Sequence, residues 1–150
     1  MGRSAEFSDA AGRHYVEHDM PESLAYKHPI RSYGEARRLS VYDPADTTKR
    51  SFNTDKGIIK DENGEPGLVG VSDFYREPET HSFQDVNIGY MQVAPEHRGG
   101  GIGRQMFDYM HKTTPEGNQL NVGLAASDAT EHMAKKADQE KPGSVKWKMF

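Results

Sequence analysis

The stretch Val93-Ala-Pro-Glu-His-Arg-Gly-Gly-Gly-Ile-Gly-Arg104 constrains this chain more than any other. An apolar strand end runs into a Pro-marked turn, then into glycine at four of the five positions from 99 to 103, then into a helical pattern. Backbone so thinly covered by side chains lets successive N–H groups approach an anion. A helix starting there adds its unpaired N–H groups and the positive end of its dipole. The expectation is a pyrophosphate cradle for a nucleotide-like ligand at a strand–turn–helix junction.

Spacing separates the kinds of phosphate binder. A dinucleotide fingerprint requires Gly-x-Gly-x-x-Gly, but counting from Gly101 the last position is Met106, and from Gly99 it is Arg104. A Walker loop requires Gly-Lys-Ser or Gly-Lys-Thr, which does not follow. Arg98-Gly99-Gly100-Gly101-Ile102-Gly103 instead resembles the Arg/Gln-x-x-Gly-x-Gly/Ala signature of the GCN5-related N-acetyltransferases. The flanks are similar too, with Ile88-Gly-Tyr-Met-Gln-Val93 as the preceding strand and Met106-Phe-Asp-Tyr-Met110 within the following helix. The resemblance runs from about Leu68 to Lys136. It implies acetyl-CoA as co-substrate, with the Met91 N–H facing the acetyl carbonyl and the Val93 main chain on the pantetheine arm. Backbone amides of Gly99, Gly100, Gly101, Ile102, Gly103 and Arg104 would hold the pyrophosphate, and Arg98 begins the cradle. The plainer alternative is a Gly-rich turn that only opens a helix.

Composition narrows the class. A chain of 150 residues suits one domain with one core. Hydrophobic content of 34% is lean, so that core is expected to be small. The absence of Cys removes disulfides, thiolate metal sites and a cysteine nucleophile together, and suits a cytoplasmic setting. No secretory signal or membrane-length apolar run is visible, so no membrane partner is expected. A net charge of −4 argues against a dedicated nucleic-acid binder. Between Lys135 and Lys148 five lysines outnumber two acids, which reads as a solubilising tail or a weak attraction for cofactor phosphates.

Along the chain, residues 1–48 read as a helical or irregular N-terminal part. Ser8 is placed to cap a helix reaching about His18, with Phe7 as a hydrophobic staple, and Ser32-Tyr-Gly-Glu35 reads as a capping box for a short helix through Leu39. The sheet core is expected over 56–150. It starts with Gly57–Lys60, turns at Asn63-Gly64, and returns as a strand from Pro66 to Tyr75. A strand from Asp85 to Val93, the glycine turn and its helix, a strand from Gln119 to Ala125, a helix from Asp128 to Asp138 and a last strand from Val145 follow. The order predicts an α+β fold, a mixed α/β sheet with helices on both faces, as in the acyl-CoA N-acyltransferases. The resemblance implies two C-terminal strands, of which one is visible, so the expectation is an acyl-CoA N-acyltransferase sheet without its last strand. The open edge invites completion by a second copy, a homodimer.

Proton handling is less legible. In histone-type members a Glu lies eleven residues before the signature Arg/Gln, and here that position is Asn87, which cannot accept a proton as a carboxylate does. Asp85 lies two residues earlier on the same strand face and is the nearest carboxylate; Glu77 and His81 are further candidates. The family's acidic Tyr on the last helix is replaced by Lys135, with Leu124 and Asp128 on the preceding pattern positions, and no Tyr follows Tyr109. His132 or Lys135 then remain for the leaving group. Asp73, Glu77, Glu79 and Asp85 hint at a cationic acceptor, either a small-molecule amine or a protein amine. Two readings stay open: an N-acetyltransferase working by direct transfer, or a catalytically degenerate relative that binds coenzyme A or serves in an assembly. A remote third is a zinc metallopeptidase, because His14-Tyr-Val-Glu17-His18 would put two imidazoles on one helical face.

Overall fold

The computed structural model describes residues 5–20, 35–77, 83–122 and 128–147. Their strands are β1 (Ala5–Ser8), β2 (His14–Asp19), β3 (Glu35–Tyr42), β4 (Lys49–Asn53), β5 (Gly57–Lys60), β6 (Glu65–Pro66), β7 (Leu68–Arg76), β8 (Val86–Val93), β9 (Leu120–Val122) and β10 (Val145–Trp147). Two helices accompany them, α1 (Ile102–Lys112) and α2 (Asp128–Glu140), and a 3-10 turn spans Pro95–His97. Seven strands form one sheet in the order β1-β2-β3-β7-β8-β9-β10. The run from β1 to β8 is antiparallel, whereas β8, β9 and β10 are parallel to one another, each crossover passing through one helix. A second sheet, ordered β5-β4-β6, is separate. The α+β class with a large mixed sheet is therefore as the pattern predicts.

Strand β7 lies at the sheet's centre, and all its residues except Arg76 are buried, the signature of a strand covered on both faces. On one face Leu39, Val41, Val69 and Phe74 pack with Ile102, Met106, Phe107 and Met110 of α1 and with Ala134 and Ala137 of α2. The spacing of the α1 residues gives a single apolar stripe, and each large side chain so buried contributes about 1.5–3 kcal/mol. On the opposite face Leu68, Val71 and Ala94 pack with Ile58, with Phe52 against them, so the small sheet is the cover there. Both described helices thus join one cluster on one face. The expectation of helices on both faces is corrected to helices on one and a small sheet on the other.

The N-terminal part departs most from expectation. Residues 5–20 form a hairpin rather than a helix from Ser8 to His18, and Glu35 to Leu39 belong to β3 rather than to a capped helix. Residues 32–34 of the expected capping box lie outside the described residues. A physical reason is visible in the alternation of β2 and β3: Tyr15 and Glu17, Arg37, Leu39 and Val41 all point into the core on the α1 side. Charged residues in inward positions hide the period-two pattern from sequence. The His14–His18 pattern falls on β2, where residues four apart lie about 13 Å from each other along the strand. On the strand the two imidazoles therefore do not share the helical face that the metallopeptidase reading needs, given zinc–nitrogen distances of about 2 Å. His14 instead meets Ser8, and His18 meets Ser40.

The expected hairpin at Asn63-Gly64 is corrected too. A turn forms there, with the Gly64 N–H donating to the Asp61 carbonyl, but β5 and β6 pair with opposite edges of β4 rather than with each other. The hairpin is one element earlier, between β4 and β5, closed by Asn53 and Gly57. Strand β10 takes the sheet edge beyond β9. Among the described residues no helix is long and apolar enough to cross a membrane.

Candidate functional site

The functional candidate is built at the end of β8. Opposite Asp73 and Phe74 of β7, the register of β8 jumps from Tyr90 to Ile88, leaving Gly89 as an extra residue in a bulge. Pairing with β9 is described as far as Ile88 opposite Val122, and beyond that point β8 borders a cleft of about 980 Å³. The cleft has Ile88 to Val93 as one wall, Ala129, Thr130, His132 and Met133 of α2 as another, and the β4–β5 turn at Thr54–Gly57 along its rim. The volume sits near the top of the range of small-molecule sites, about 300–1,000 Å³.

Main-chain direction along this wall follows from one hydrogen bond. The Ala94 N–H donates to the Val69 carbonyl, so Ala94 faces β7. In an antiparallel pair alternate residues turn their N–H and C=O groups to opposite edges, which leaves Met91 and Val93 facing away from β7 toward the cleft. The Val93 carbonyl is indeed met there by Nε of Arg98 at 3.2 Å. The Met91 and Val93 side chains pack partly buried on the main core, while Tyr90 touches Phe52 on the other face.

After Pro95–His97 the chain reverses into α1 through Gly99 and Gly101, both with positive φ (83° and 88°). A Cβ on Gly99 would meet none of the described residues within 4 Å, so its conformation rather than crowding calls for glycine. Helix α1 has no side-chain cap, and the N–H groups of Ile102, Gly103 and Arg104 have no acceptor within the helix. Gly99, Gly101, Ile102, Gly103 and Arg104 line the cleft together with Arg98. Gly100 does not; its carbonyl turns to Arg13. Three fixed cations, Lys56, Arg98 and Arg104, face one acid, Asp55, among the described lining residues. Unpaired amides, a helix N-terminus and net positive charge in one concavity fit a polyphosphate.

A second network holds this turn from below. Glu96 accepts from Nη2 of Arg50 at 3.0 Å, and His97 Nε2 lies 2.6 Å from Asp46 Oδ2, which also accepts from Arg50 at 3.1 Å. Arg50 is 2% exposed, so these carboxylates neutralise a buried charge. The hydrogen bond from His97, with that from the Thr48 N–H, holds the Asp46 carboxyl far below its ordinary range. The small sheet thereby fixes where the glycine turn begins. Asp46→Ala is expected to cost about 1–3 kcal/mol in chemical denaturation, since it leaves Arg50 and His97 short of an acceptor. A change within experimental error would show that the small sheet does not anchor the turn.

The residues expected to move protons are elsewhere. Asp85 lies just before β8, its Oδ1 accepting from the Gln119 N–H at 2.9 Å, and Asn87 accepts from Asn121 Nδ2 at 2.8 Å. Both tie β8 to the β9 region and neither lines the cleft. Asp73 forms a buried two-pronged ion pair with Arg38, at 2.6 and 2.9 Å, so it is no solvent-facing attractor for a cation. Glu77 lines a small separate cavity with Glu17, Arg37 and Arg76. His81, Glu79 and Leu124 lie outside the described residues. Lys135 pairs with Glu131 on the exposed side of α2, whereas His132 does reach the cleft. Sequence reasoning did not anticipate Arg13, Lys56 or the Asp46–His97 pair, none of which sits in a recognisable local pattern. No protein-family model matches the chain, and no curated protein matches it at a significant level.

Proposed function

We propose that this cleft binds acetyl-CoA and that the protein is an N-acetyltransferase acting on a primary amine by direct transfer. The observation that carries the reading is the bulged β8 wall with outward main chain at Met91 and Val93, leading through the Pro95–His97 turn into the uncapped glycine turn. A long ligand with an amide-rich arm and a diphosphate matches that sequence of groups in order. In the proposed step the amine nitrogen attacks the thioester carbonyl carbon, the N–C bond forms and the C–S bond breaks. The Met91 N–H would donate to the carbonyl oxygen as negative charge grows on it. The departing thiolate, with a solution pKa of about 8.5, takes up one proton and the new amide gives one up. Holding donor and acceptor together supplies much of the acceleration in such a transfer.

Titration of acetyl-CoA by calorimetry is expected to give saturable binding at one site. Free thiol should then appear when polyamines, aminoglycosides, amino acids or peptides are supplied. Heats that stay flat with acetyl-CoA, propionyl-CoA and free coenzyme alike would overturn the reading. The engagement of Asp85 and Asn87 in holding β8 to the β9 region favours a second reading, a coenzyme-binding relative without catalysis. Binding without thiol release across those acceptors selects it.

A further inference from the structure

We infer that Arg13, in the turn between β1 and β2, is a positioning residue that aims the Gly101 amide into the phosphate cradle; this rests on the acyl-CoA reading of the cleft. Arg13 lies 87 residues from the glycine turn in sequence, yet its Nη2 donates to the Gly100 carbonyl at 2.8 Å. The guanidinium is itself fixed. Its Nε donates to Asp9 Oδ2 at 2.7 Å, and only 11% of the side chain is exposed. Asp9 is held in turn by the N–H groups of Ala11 and Arg13 and by the Tyr15 hydroxyl, so the whole clamp is anchored in the hairpin.

The consequence follows from peptide planarity. In a trans peptide the C=O of Gly100 and the N–H of Gly101 point in opposite directions. Among the described residues no peptide is cis, so a carbonyl held toward Arg13 turns the Gly101 N–H the other way. The lining of the cleft agrees: Gly99 and Gly101 border it, while Gly100 and Arg13 do not. A peptide between two glycines rotates at little cost, and φ of 88° at Gly101 is one of several conformations open to it. An unclamped turn would therefore lose order that ligand binding must restore, and affinity would fall by that amount.

Calorimetric titration of the full chain with acetyl-CoA and with its 3′-dephospho form tests this. Arg13→Ala is expected to weaken both ligands by the same factor, about tenfold. Arg13→Lys should recover most of the loss, because an ammonium can still donate to the Gly100 carbonyl. Asp9→Asn, which leaves Arg13 in place but loosens its anchor, should give a smaller loss in the same direction. In heteronuclear NMR the ligand-induced shift of the Gly101 amide should shrink in Arg13→Ala. Normal wild-type binding with Arg13→Ala unaffected overturns the inference alone. A loss confined to the 3′-phosphorylated ligand also overturns it, since that would make Arg13 a direct phosphate ligand. Flat wild-type titrations sink the acyl-CoA reading and the inference together.

Discussion

Glu17→Ala is expected to destabilise the fold by about 3–5 kcal/mol, the usual cost of removing one partner from a buried ion network. Glu17 is 1% exposed on β2 and accepts from Arg37 Nε at 2.9 Å, from Arg76 Nη2 at 2.9 Å and from the Tyr109 hydroxyl. It joins β2, β3, β7 and α1 at one point. Without it, among the described residues Arg37, fully buried, is left with Asp19, which is largely exposed, and Arg76 with the carbonyl and hydroxyl of Thr113 and the Phe74 ring. For a domain of this size the loss corresponds to a fall of roughly 6–20 °C in melting temperature. Glu17→Gln should cost less, because its amide oxygen still accepts. A Glu17→Ala protein melting within 2 °C or so of wild type would show that the network does not hold the sheet to α1.

The same group sets a pH dependence. Burial works against the charged form of Glu17, but Arg76, Tyr109 and Arg37 outweigh it and hold the carboxyl below its ordinary value of 4.5. A carboxyl whose folded pKa is depressed binds its proton more readily unfolded, so stability rises with pH across that window. The contribution is complete above 4.5 and is lost as pH falls through the folded value. Denaturation midpoints should therefore drop on acidification below 4.5, and that slope should flatten in Glu17→Gln. Burial and its bond to Glu17 likewise push the Tyr109 hydroxyl well above its usual pKa, so it stays a donor at any physiological pH.

The same network explains what sequence could not reveal. Core strands rich in aliphatic residues, such as β5, β7 and β8, were legible, as were α1 and α2 from their stripes and boundaries. Strands β2 and β3 place Glu17 and Arg37 where the rule expects Val or Leu, so Tyr15, Leu39 and Val41 lost their visible periodicity. Strand β4, Lys49-Arg-Ser-Phe-Asn53, was hidden for the same reason, with Arg50 buried beneath the glycine turn. The glycine turn and its helix start were legible because their requirement is local, with backbone freedom and a helix start falling within six residues. Its supports were not, since Arg13, Asp46 and Arg50 reach it from segments remote in sequence. Long-range ion pairs leave no spacing to read.

Gly103→Asp is expected to separate ligand binding from stability more cleanly than any other change in the cradle. Gly103 is in the first turn of α1 and lines the cleft. Among the described residues a Cβ there would meet Val93 Cγ2 at 3.9 Å, an ordinary contact. An acidic residue in a first helical turn gains about 0.3–1 kcal/mol from the dipole, and replacing a helical glycine adds a few tenths. The melting temperature should thus hold or rise slightly. A diphosphate entering the same turn would meet a like charge, which at about 4 Å opposes it by roughly 4 kcal/mol in a partly solvated site. Affinity for acetyl-CoA should fall by at least about a hundredfold. Gly101→Val is the informative contrast. With φ at 88°, a β-branched residue is strained by about 1–2 kcal/mol, so stability and binding should fall together. Calorimetry beside thermal melts reads both quantities from one preparation. A folded Gly103→Asp protein with undiminished acetyl-CoA affinity would falsify the placement of the diphosphate, because no anion can occupy that turn beside a fixed carboxylate without penalty.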